Sequence, residues 1–303
     1  MAHNWKKLGQ IFVPDNDNPY LQSHAANPLP VQIDQNVYRV FYCGRNKEQK
    51  SSVGCVDIDI EQKKVVRYPK EPLVTFGPKG TFCSHGISIG NVYQVDGEDY
   101  ILFMAWQNPP NAHWRGDIGR LKMTDKERLD IHPDEPFLGV DEEDAVSLSY
   151  PWVMYHEGYY KMWYGSTVTW EAGNGEMLHV LKYATSKDGQ AWERHGLAIP
   201  YEIGVAQAFS RPTVIIDEDG YHMWYSYRSG QGTPYRIGYA HSKDGRNWER
   251  LEQQSGITVA ENGWDSQMVC YPFVFDHAGK RYMMYNGNSH GKTGIGLAVL
   301  ESD

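Results

Sequence analysis

A repeated segment in the second half of the chain constrains its fold more than any other feature. Residues 183–194 read YATSKDGQAWER, and residues 239–250 read YAHSKDGRNWER. Each segment follows an aromatic run of the form Tyr-x-Met-Trp-Tyr, at 160–164 and at 221–225. Each run in turn follows a proline with a short apolar burst, and these prolines recur about 60 residues apart, at Pro151, Pro212 and Pro272. Repeats of this length built from short strands indicate a radial or solenoid β architecture.

The strand pattern predicts an all-β fold, a five-bladed β-propeller of four-stranded antiparallel blades, as a single domain spanning 1–303. Large apolar side chains alternate at Tyr160, Met162 and Tyr164, which is the period of a half-buried strand. Two weaker copies of the unit lie upstream. The last copy lacks a fourth strand, and the N-terminal segment 7–13 is predicted to supply it and close the ring. The predicted blades cover roughly 20–70, 80–138, 145–197, 206–255 and 265–303.

Composition excludes several classes of function. A net charge of −9 argues against a nucleic-acid partner, because binding phosphates requires a basic surface. No segment approaches the roughly 20 apolar residues of a membrane-spanning helix, so no membrane partner is expected. The N-terminus lacks the apolar core of a secretory signal, which predicts a cytoplasmic location. The cysteines lack CxxC spacing and are expected to be free thiols: Cys43, Cys55, Cys83 and Cys270.

The repeat resembles that of a known superfamily. The pattern Pro-x-Val, Gly-x-Tyr-x-Met-x-Tyr and Tyr-Ala-x-Ser-x-Asp-Gly-x-x-Trp is similar to that of the five-bladed β-propeller glycosidases, which include glycoside hydrolase families 32, 43, 68, 117 and 130. The resemblance spans nearly the whole chain. It implies that the first strand of each blade lines a central funnel, and that the active site lies where those strands begin.

The resemblance also implies carboxylates that this sequence lacks. Family 43 members place acidic residues at or just before the prolines of three blades. Here the residues before the prolines are Asn27, Tyr150, Arg211 and Tyr271, and the second blade offers His85 instead of an acid. The usual carboxylate triad of family 43 is therefore missing.

Cleaving a glycosidic bond needs two carboxyl-type groups, one protonated and one ionised. Asp265 and Glu202 lie in loops just upstream of first strands and are the predicted catalytic acids. His24 and His85 each follow a serine ahead of a first strand, so we expect them to face each other across the funnel as acid/base groups or sugar ligands. A metal site built from both histidines and a carboxylate stays open, but no close-spaced ligand motif is present, and no metal or other cofactor is predicted.

Arginine and aromatic residues near the first strands are the predicted substrate-binding groups. The planar fork of Arg211 suits a carboxylate or phosphate, which predicts an anionic ligand; the alternative is an internal ion pair with Asp265 or Glu202. The loops at 106–116 and 167–175 are expected to overhang the funnel mouth. The side chains predicted to stack on or contact a sugar are Tyr150, Tyr271, Trp106 and Trp264.

The sequence therefore favours a carbohydrate-active, glycoside hydrolase-like enzyme that acts on a small-molecule sugar or sugar derivative by acid/base chemistry. One alternative is a transferase or lyase-type enzyme of polysaccharide biosynthesis. The other is a non-catalytic propeller that binds a glycan or a protein.

Overall fold

The computed structural model describes residues 2–15, 17–131, 135–230 and 232–301, and it is built almost entirely of β-strands. The terminal residues 1, 302 and 303 of the predicted domain lie outside the described residues. Within these ranges, a single 3₁₀ turn (Glu252–Gln254) and one short helical turn, α1 (Asn288–Gly291), interrupt the strands. No described helix is long and apolar enough to cross a lipid bilayer.

The strands form five antiparallel four-stranded units, here called blades one to five. Blade one contains β2 (Ser23–Gln32), β3 (Val37–Arg45), β4 (Ser51–Asp59) and β5 (Lys64–Arg67), and blade two contains β6 (Gly86–Val95), β7 (Glu98–Gln107), β8 (Arg115–Thr124) and β9 (Arg128–Ile131). Blade three contains β10 (Ser147–His156), β11 (Tyr159–Thr169), β12 (Leu178–Ser186) and β13 (Glu193–Leu197), and blade four contains β14 (Ala208–Asp217), β15 (Gly220–Arg228), β16 (Arg236–Ser242) and β17 (Glu249–Arg250). Blade five contains β18 (Cys270–His277), β19 (Lys280–Asn286), β20 (Ile295–Leu300) and the N-terminal β1 (Trp5–Phe12). The predicted outer strand of the last blade is thus present, because β1 pairs antiparallel with β20.

The inner strand of each blade contacts the inner strand of the next, in the order β2, β6, β10, β14, β18 and back to β2. A single parallel bridge from Ser51 to Gly86 joins blade one to blade two, and a bridge from His179 to Ala208 joins blade three to blade four. Blade five contacts blade one through Asn286, whose side chain accepts a hydrogen bond from Asn27 N and donates to Ala25 O at 2.9 and 2.7 Å. The inner strands of all five blades therefore converge on one axis.

Each inner strand carries a β-bulge where it approaches that axis. The register shifts within β2, β6, β10, β14 and β18. In four of these strands the residue before the proline has a positive φ: 57° at Asn27, 34° at Tyr150, 44° at Arg211 and 54° at Tyr271. Because a bulge re-aims the side chain it carries, these residues point differently from their strand neighbours.

A buried aromatic ring on the second strand of each blade anchors the core. Tyr42, Phe103, Tyr225 and Tyr285 are fully buried, and each lies directly across from a glycine of the third strand. A Cβ on Gly54, for example, would lie 2.8 Å from the ring of Tyr42. The third strands of these four blades therefore carry a glycine at this position because the ring occupies the place of a side chain. In blade three the ring is Tyr164, and its cross-strand neighbour is Lys182.

The repeated Ser-Lys-Asp-Gly segment is the turn into the outer strand. In blade four, Asp244 accepts hydrogen bonds from the backbone N–H groups of Arg246 and Asn247, both at 2.8 Å. Gly245 adopts a φ of 74°, and the indole of Trp248 donates to its carbonyl at 2.9 Å. Asx turns of this kind are local, so the sequence repeat marks them directly. The four cysteines are all buried and unpaired, as the sequence predicts.

Candidate functional site

A central cavity of about 390 Å³ opens where the inner strands begin, and side chains from all five blades line it. A larger and more open hollow of about 700 Å³ lies among the hairpins at the opposite end of blades two and three. The central cavity is the one where strands converge from every blade, which is the usual place for a propeller ligand site. Its lining residues are Arg45, Ser88, Met104, Trp106, Asn108, Trp114, Ser149, Tyr150, Met177, His179, Phe209, Ser210, Arg228, Tyr235, Tyr271 and His290.

The same position of the second strand contributes a lining side chain in three of the blades. It lies three residues after the buried ring, and it is Arg45 in blade one, Trp106 in blade two and Arg228 in blade four. In blade three the same position is Thr167, which hydrogen-bonds to the cavity residue His179. The offset of three is a sequence signal that the pattern of prolines does not reveal.

Two loops that are predicted to overhang the cavity contact each other beside it. Trp114, from the loop between β7 and β8, lines the cavity and contacts Trp170, from the loop between β11 and β12, with ring centroids 4.7 Å apart. His113 stacks on the same Trp170 at 4.8 Å. The two loops thus form one aromatic cover beside the cavity.

The charge of the cavity is positive. Arg45 donates to Gln49 at 3.5 Å and, within the described part of the chain, has no carboxylate at ion-pair distance. Arg228 is neutralised from behind by Glu176, with 2.7 Å between Nε and Oε2. No aspartate or glutamate is among the described residues that line the cavity. In a chain of net charge −9, this local reversal of sign points to a negatively charged ligand.

Arg211 lies at the centre of the propeller, buried and without the ion pair that the sequence left open. Its Nη2 donates to Pro28 O at 2.8 Å and lies 3.4 Å from Gly90 O, so the side chain crosses from blade four to blades one and two. Its Nη1 has no hydrogen-bond partner in the part of the chain that the structure describes. Burial lowers the pKa of Arg211 to about 10, which leaves it charged at neutral pH. The guanidinium adds positive charge next to the cavity residues Tyr150 and Tyr271, which flank it in the bulged strands.

A serine and a histidine in the cavity share a short hydrogen bond. Ser149 Oγ lies 2.6 Å from His179 Nε2, and Thr167 Oγ1 lies 2.7 Å from His179 Nδ1. Burial, with a further contribution from Arg228, lowers the pKa of His179 to about 3. The imidazole is therefore neutral at pH 7, and one nitrogen can accept the proton of Ser149 while the other donates to Thr167.

Tyrosines supply most of the remaining hydroxyls. Burial raises the pKa of Tyr235 to about 12 and raises the pKa of Tyr150 and Tyr271 as well. The rings of Tyr150 and Tyr271 lie 5.6 Å apart, and Arg228 lies 4.9 Å from the ring centroid of Tyr235. All three phenols are protonated at neutral pH and can donate to a ligand oxygen.

Asp265 is not at the cavity. Its carboxylate is buried in blade five, where it pairs with Lys7 Nζ at 2.6 Å and accepts from Tyr285 Oη at 3.0 Å. Asp144 plays the same part in blade three, with Tyr164 Oη at 2.8 Å and Lys182 Nζ at 2.6 Å. Both carboxylates join the loop before a first strand to the anchor tyrosine of the second strand. The structure thus gives Asp265 a structural role, and we do not include it in the candidate site.

Glu202 and Trp264 also lie away from the cavity. The side chain of Glu202 is 64% exposed, and its nearest cation is Arg250 of the outer strand, at 3.9 Å. Trp264 packs on Tyr285 with ring centroids 5.3 Å apart and fills the space above Gly296. Exposure in the first case and packing in the second account for both side chains without a ligand.

The two predicted histidines do not form a pair. His24 is buried against blade five, and burial, then Arg45 and His290, lower its pKa to about 3. His85 lies at the rim, where it accepts from Asn108 N at 3.3 Å and lies 6.0 Å from the ring of Trp106. Of the predicted ligand contacts, Tyr150, Tyr271 and Trp106 do line the cavity.

Replacing Asp265 by asparagine is expected to lower the free energy of unfolding by about 2 kcal/mol, because Lys7 and Tyr285 lose a charged acceptor. Urea denaturation measures this change. Glu202→Gln, at an exposed position, is the control and should leave stability unchanged. Ligand affinity at the cavity should be the same in both variants. A loss of ligand affinity or turnover in Asp265→Asn at unchanged stability would return Asp265 to the site.

Comparison with known proteins identifies relatives along the whole chain. Residues 152–302 match the Glycosyl hydrolases family 32 N-terminal domain. Two uncharacterized proteins of Mycobacterium tuberculosis, MT1551 of strain CDC 1551 / Oshkosh and Rv1502 of strain ATCC 25618 / H37Rv, are each 38% identical over 300 residues, which is 98% of this chain and 99% of theirs.

Solved structures share the fold at low identity. A glycosyl hydrolase from Bacteroides ovatus superposes with a TM-score of 0.74 at 12% identity, covering 99% of this chain and 94% of the Bacteroides protein. A structure of the GH130 family of mannoside phosphorylases, described as containing glycoside hydrolases that target β-1,2 mannosidic linkages in Candida mannan, has a TM-score of 0.71 at 12% identity. The superposition covers 99% of this chain and 94% of the GH130 protein.

Proposed function

This chain belongs to the five-bladed β-propeller glycoside hydrolase superfamily, and on that premise we propose that its central cavity binds a negatively charged sugar or sugar derivative. The observation that carries the proposal is the cavity's cationic lining: Arg45 is free of any carboxylate among the described residues, and Arg228, paired with Glu176, also lines the cavity. A phosphate or a uronic carboxylate is the group that such a lining recognises.

The rest of the lining suits a sugar ring. Trp106 and Trp114 offer flat apolar faces, and Tyr150, Tyr235 and Tyr271 offer protonated hydroxyls. Ser210 Oγ is buried at the cavity with no hydrogen-bond partner among the described residues, so a ligand oxygen can satisfy it. A stacked ring, several hydroxyl donors and one charged clamp are the usual parts of a carbohydrate site.

We infer that the chemistry of this cavity uses Ser149 and His179 rather than two carboxylates. They are the only nucleophile and base that share a hydrogen bond among the described lining residues. A pKa of about 3 makes His179 a weak base in the free protein, and Arg228 contributes to that. An anion bound next to Arg228 would raise this pKa and so make His179 a better proton acceptor. The favoured reaction class is hydrolysis or group transfer at the bound sugar.

A non-catalytic sugar-binding propeller is the second candidate function. The specific observation in its favour is that none of the described lining residues is a carboxylate. Glycoside hydrolysis by the usual mechanism needs a pair of them. Turnover by the intact protein, lost when Ser149 is replaced, separates the two candidates.

Replacing Arg45 by glutamine is expected to weaken binding of the anionic ligand about 10- to 100-fold, because one charge-assisted hydrogen bond is lost. Isothermal titration with a panel of sugar phosphates and uronic acids, and with glucose as the neutral probe, measures the change. The affinity for glucose should hardly change in the variant.

Arg246→Gln is the matched control for this experiment. Arg246 is exposed in the turn of blade four, so the substitution removes the same charge far from the cavity. Binding of the anionic probes should be unaffected. A protein that binds glucose as tightly as its anionic analogues, or that binds none of the panel, contradicts the proposal.

A further inference from the structure

A second cluster of polar side chains lies at the far end of blade four from the central cavity. The cavity residues Phe209 and Arg228 lie at the start of β14 and the end of β15, whereas Asp219 lies in the hairpin turn at the opposite end of these strands. His222 on β15 and His241 on β16 are direct cross-strand partners, so their side chains share one face of the sheet. This cluster is therefore separate from the site described above.

The three side chains converge on one point. His222 Nε2 lies 2.8 Å from Asp219 Oδ1, and His241 Nε2 lies 3.6 Å from Asp219 Oδ2. The two imidazole rings lie 5.2 Å apart, centroid to centroid. One ligand atom from each residue lies within 4.8 Å of the other two. Asp219 is exposed and His241 half-buried, so modest rotations of these side chains bring all three atoms to metal-bonding distance.

We propose that Asp219, His222 and His241 bind a divalent transition-metal cation, with Zn²⁺ as the ion that the donors fit best. Two imidazole nitrogens and one carboxylate oxygen are a common set for Zn²⁺, whereas Ca²⁺ and Mg²⁺ prefer oxygen ligands alone. Three protein ligands leave a fourth position for water.

The surroundings of His222 support a ligand role. Its Nδ1 lies 2.6 Å from Tyr239 Oη, inside the blade. Without a metal, Nε2–H can donate to Asp219 while Nδ1 accepts from the tyrosine. A metal replaces the proton on Nε2, and Nδ1–H then donates to Tyr239. Holding the second ring nitrogen in this way orients a histidine ligand.

Asp219 is the carboxylate of the cluster that neither neighbouring cation, Arg281 or Lys243, pairs with. Asp217 lies 3.6 Å from His222 Nε2, but Arg281 holds both of its oxygens at 2.6 and 3.0 Å. Lys243 Nζ donates to the backbone carbonyl of Asp219 at 2.5 Å rather than to its carboxylate. Arg281 and Lys243 are thus bound to other oxygens, and the Asp219 carboxylate is left to bind a metal. We expect the cluster to bind a single metal ion.

The propeller does not itself require ligands at this position. The same cross-strand pair in the other blades joins residues that serve packing or ion pairing. These pairs are Arg39 with Asp57, Tyr100 with Lys122, Lys161 with Thr185, and Tyr282 with Val299. In blade one the pair is a buried bidentate ion pair with both contacts at 2.8 Å. Blade four differs because two histidines occupy these positions next to an acidic residue of the turn. Their side chains offer metal ligands instead of a packing contact or an ion pair.

The test is titration of the full chain, free of any affinity tag and dialysed against EDTA, with zinc chloride at pH 7.5. Calorimetry is expected to show one equivalent bound, and the unfolding temperature should rise by a few degrees at saturating zinc. Cobalt chloride should produce visible absorption bands of a tetrahedral complex. Absence of stoichiometric zinc binding would overturn the proposal.

Three variants locate the ion. His241→Ala and Asp219→Asn should each weaken zinc binding at least about 10-fold, since each removes a ligand. Asp219 lies in an exposed turn, so its variant keeps the test valid even if His241→Ala folds poorly. His156→Ala, which removes a histidine beside Glu157 in the equivalent hairpin of blade three, should bind zinc as the unchanged protein does. Equal affinity in Asp219→Asn and the unchanged protein would place the zinc elsewhere and overturn the assignment.

Discussion

Lowering the pH from 7.5 to 5.5 is expected to reduce the free energy of unfolding by about 4 kcal/mol. Three histidines that are buried near the cavity cause this loss. Burial first, and then the charges of nearby arginines, lower the pKa of His24 and His179 to about 3 and that of His290 to about 4. An unfolded chain returns each of them to a pKa near 6.5.

The sign follows from proton binding. Between pH 6.5 and about 4 the unfolded chain binds protons at these three positions and the folded chain does not. Acid therefore stabilises the unfolded state. The free energy of unfolding is therefore highest above pH 6.5, where these histidines are neutral in both states. It falls progressively as the pH drops toward the pKa values of the histidines in the folded protein. The buried carboxylate of Asp144 adds to this loss only at lower pH, because hydrogen bonds from Lys182, Ser166 and Tyr164 outweigh the effect of burial and hold its pKa below the usual value.

Urea denaturation at a series of pH values measures this dependence. His24→Gln should remove about a third of the slope between pH 7 and 5. His195→Gln is the control, since His195 is only half-buried and lies at the outer strand of blade three. A stability that is flat from pH 7.5 to 5.5 would contradict the assignment of neutral, buried imidazoles.

Replacing Ser149 by alanine is expected to lower turnover of the anionic ligand about 10²- to 10⁴-fold, the usual effect of losing a nucleophile or proton relay. Affinity for the ligand should change little, because Arg45 and Arg228 remain. Steady-state kinetics on a ligand found by titration measures kcat, and calorimetry measures affinity.

Ser210→Ala is the matched control for this variant. Ser210 also lines the cavity, but none of the described residues is a basic partner for it, so its loss should affect affinity more than kcat. His179→Gln should lose turnover as Ser149→Ala does, since it removes the base at 2.6 Å. Equal turnover in Ser149→Ala and the unchanged protein would exclude this pair and favour a different chemistry. A protein that binds anionic sugars tightly but turns over none of them is a binding propeller.

The blades and their order could be predicted from the sequence because their signals are local. The turn at Asp244 and Gly245 and the alternation from Tyr160 to Tyr164 depend on neighbours a few residues away. Even the pairing of the N-terminal strand with blade five follows from counting strands. Tyr150 and Tyr271 could be placed at the axis for the same reason, since each precedes the proline of an inner strand.

The roles of the charged residues could not be predicted in this way, because their partners lie far apart in the chain. Asp265 is paired with Lys7, 258 residues away, and nothing near either residue indicates that contact. His179 and Ser149 come from different strands of blade three, and their hydrogen bond depends on how β10 and β12 pack beside β11.

The sequence by itself determined the repeating unit of short strands, the turns between those strands and three of the four predicted aromatic contacts, which are Tyr150, Tyr271 and Trp106. Only the tertiary structure decided that the cavity is cationic and that the predicted acids lie outside it. The physical reason is that strand period and turn chemistry are set by adjacent residues. Which side chains meet at the axis is set instead by bulges and by contacts between blades.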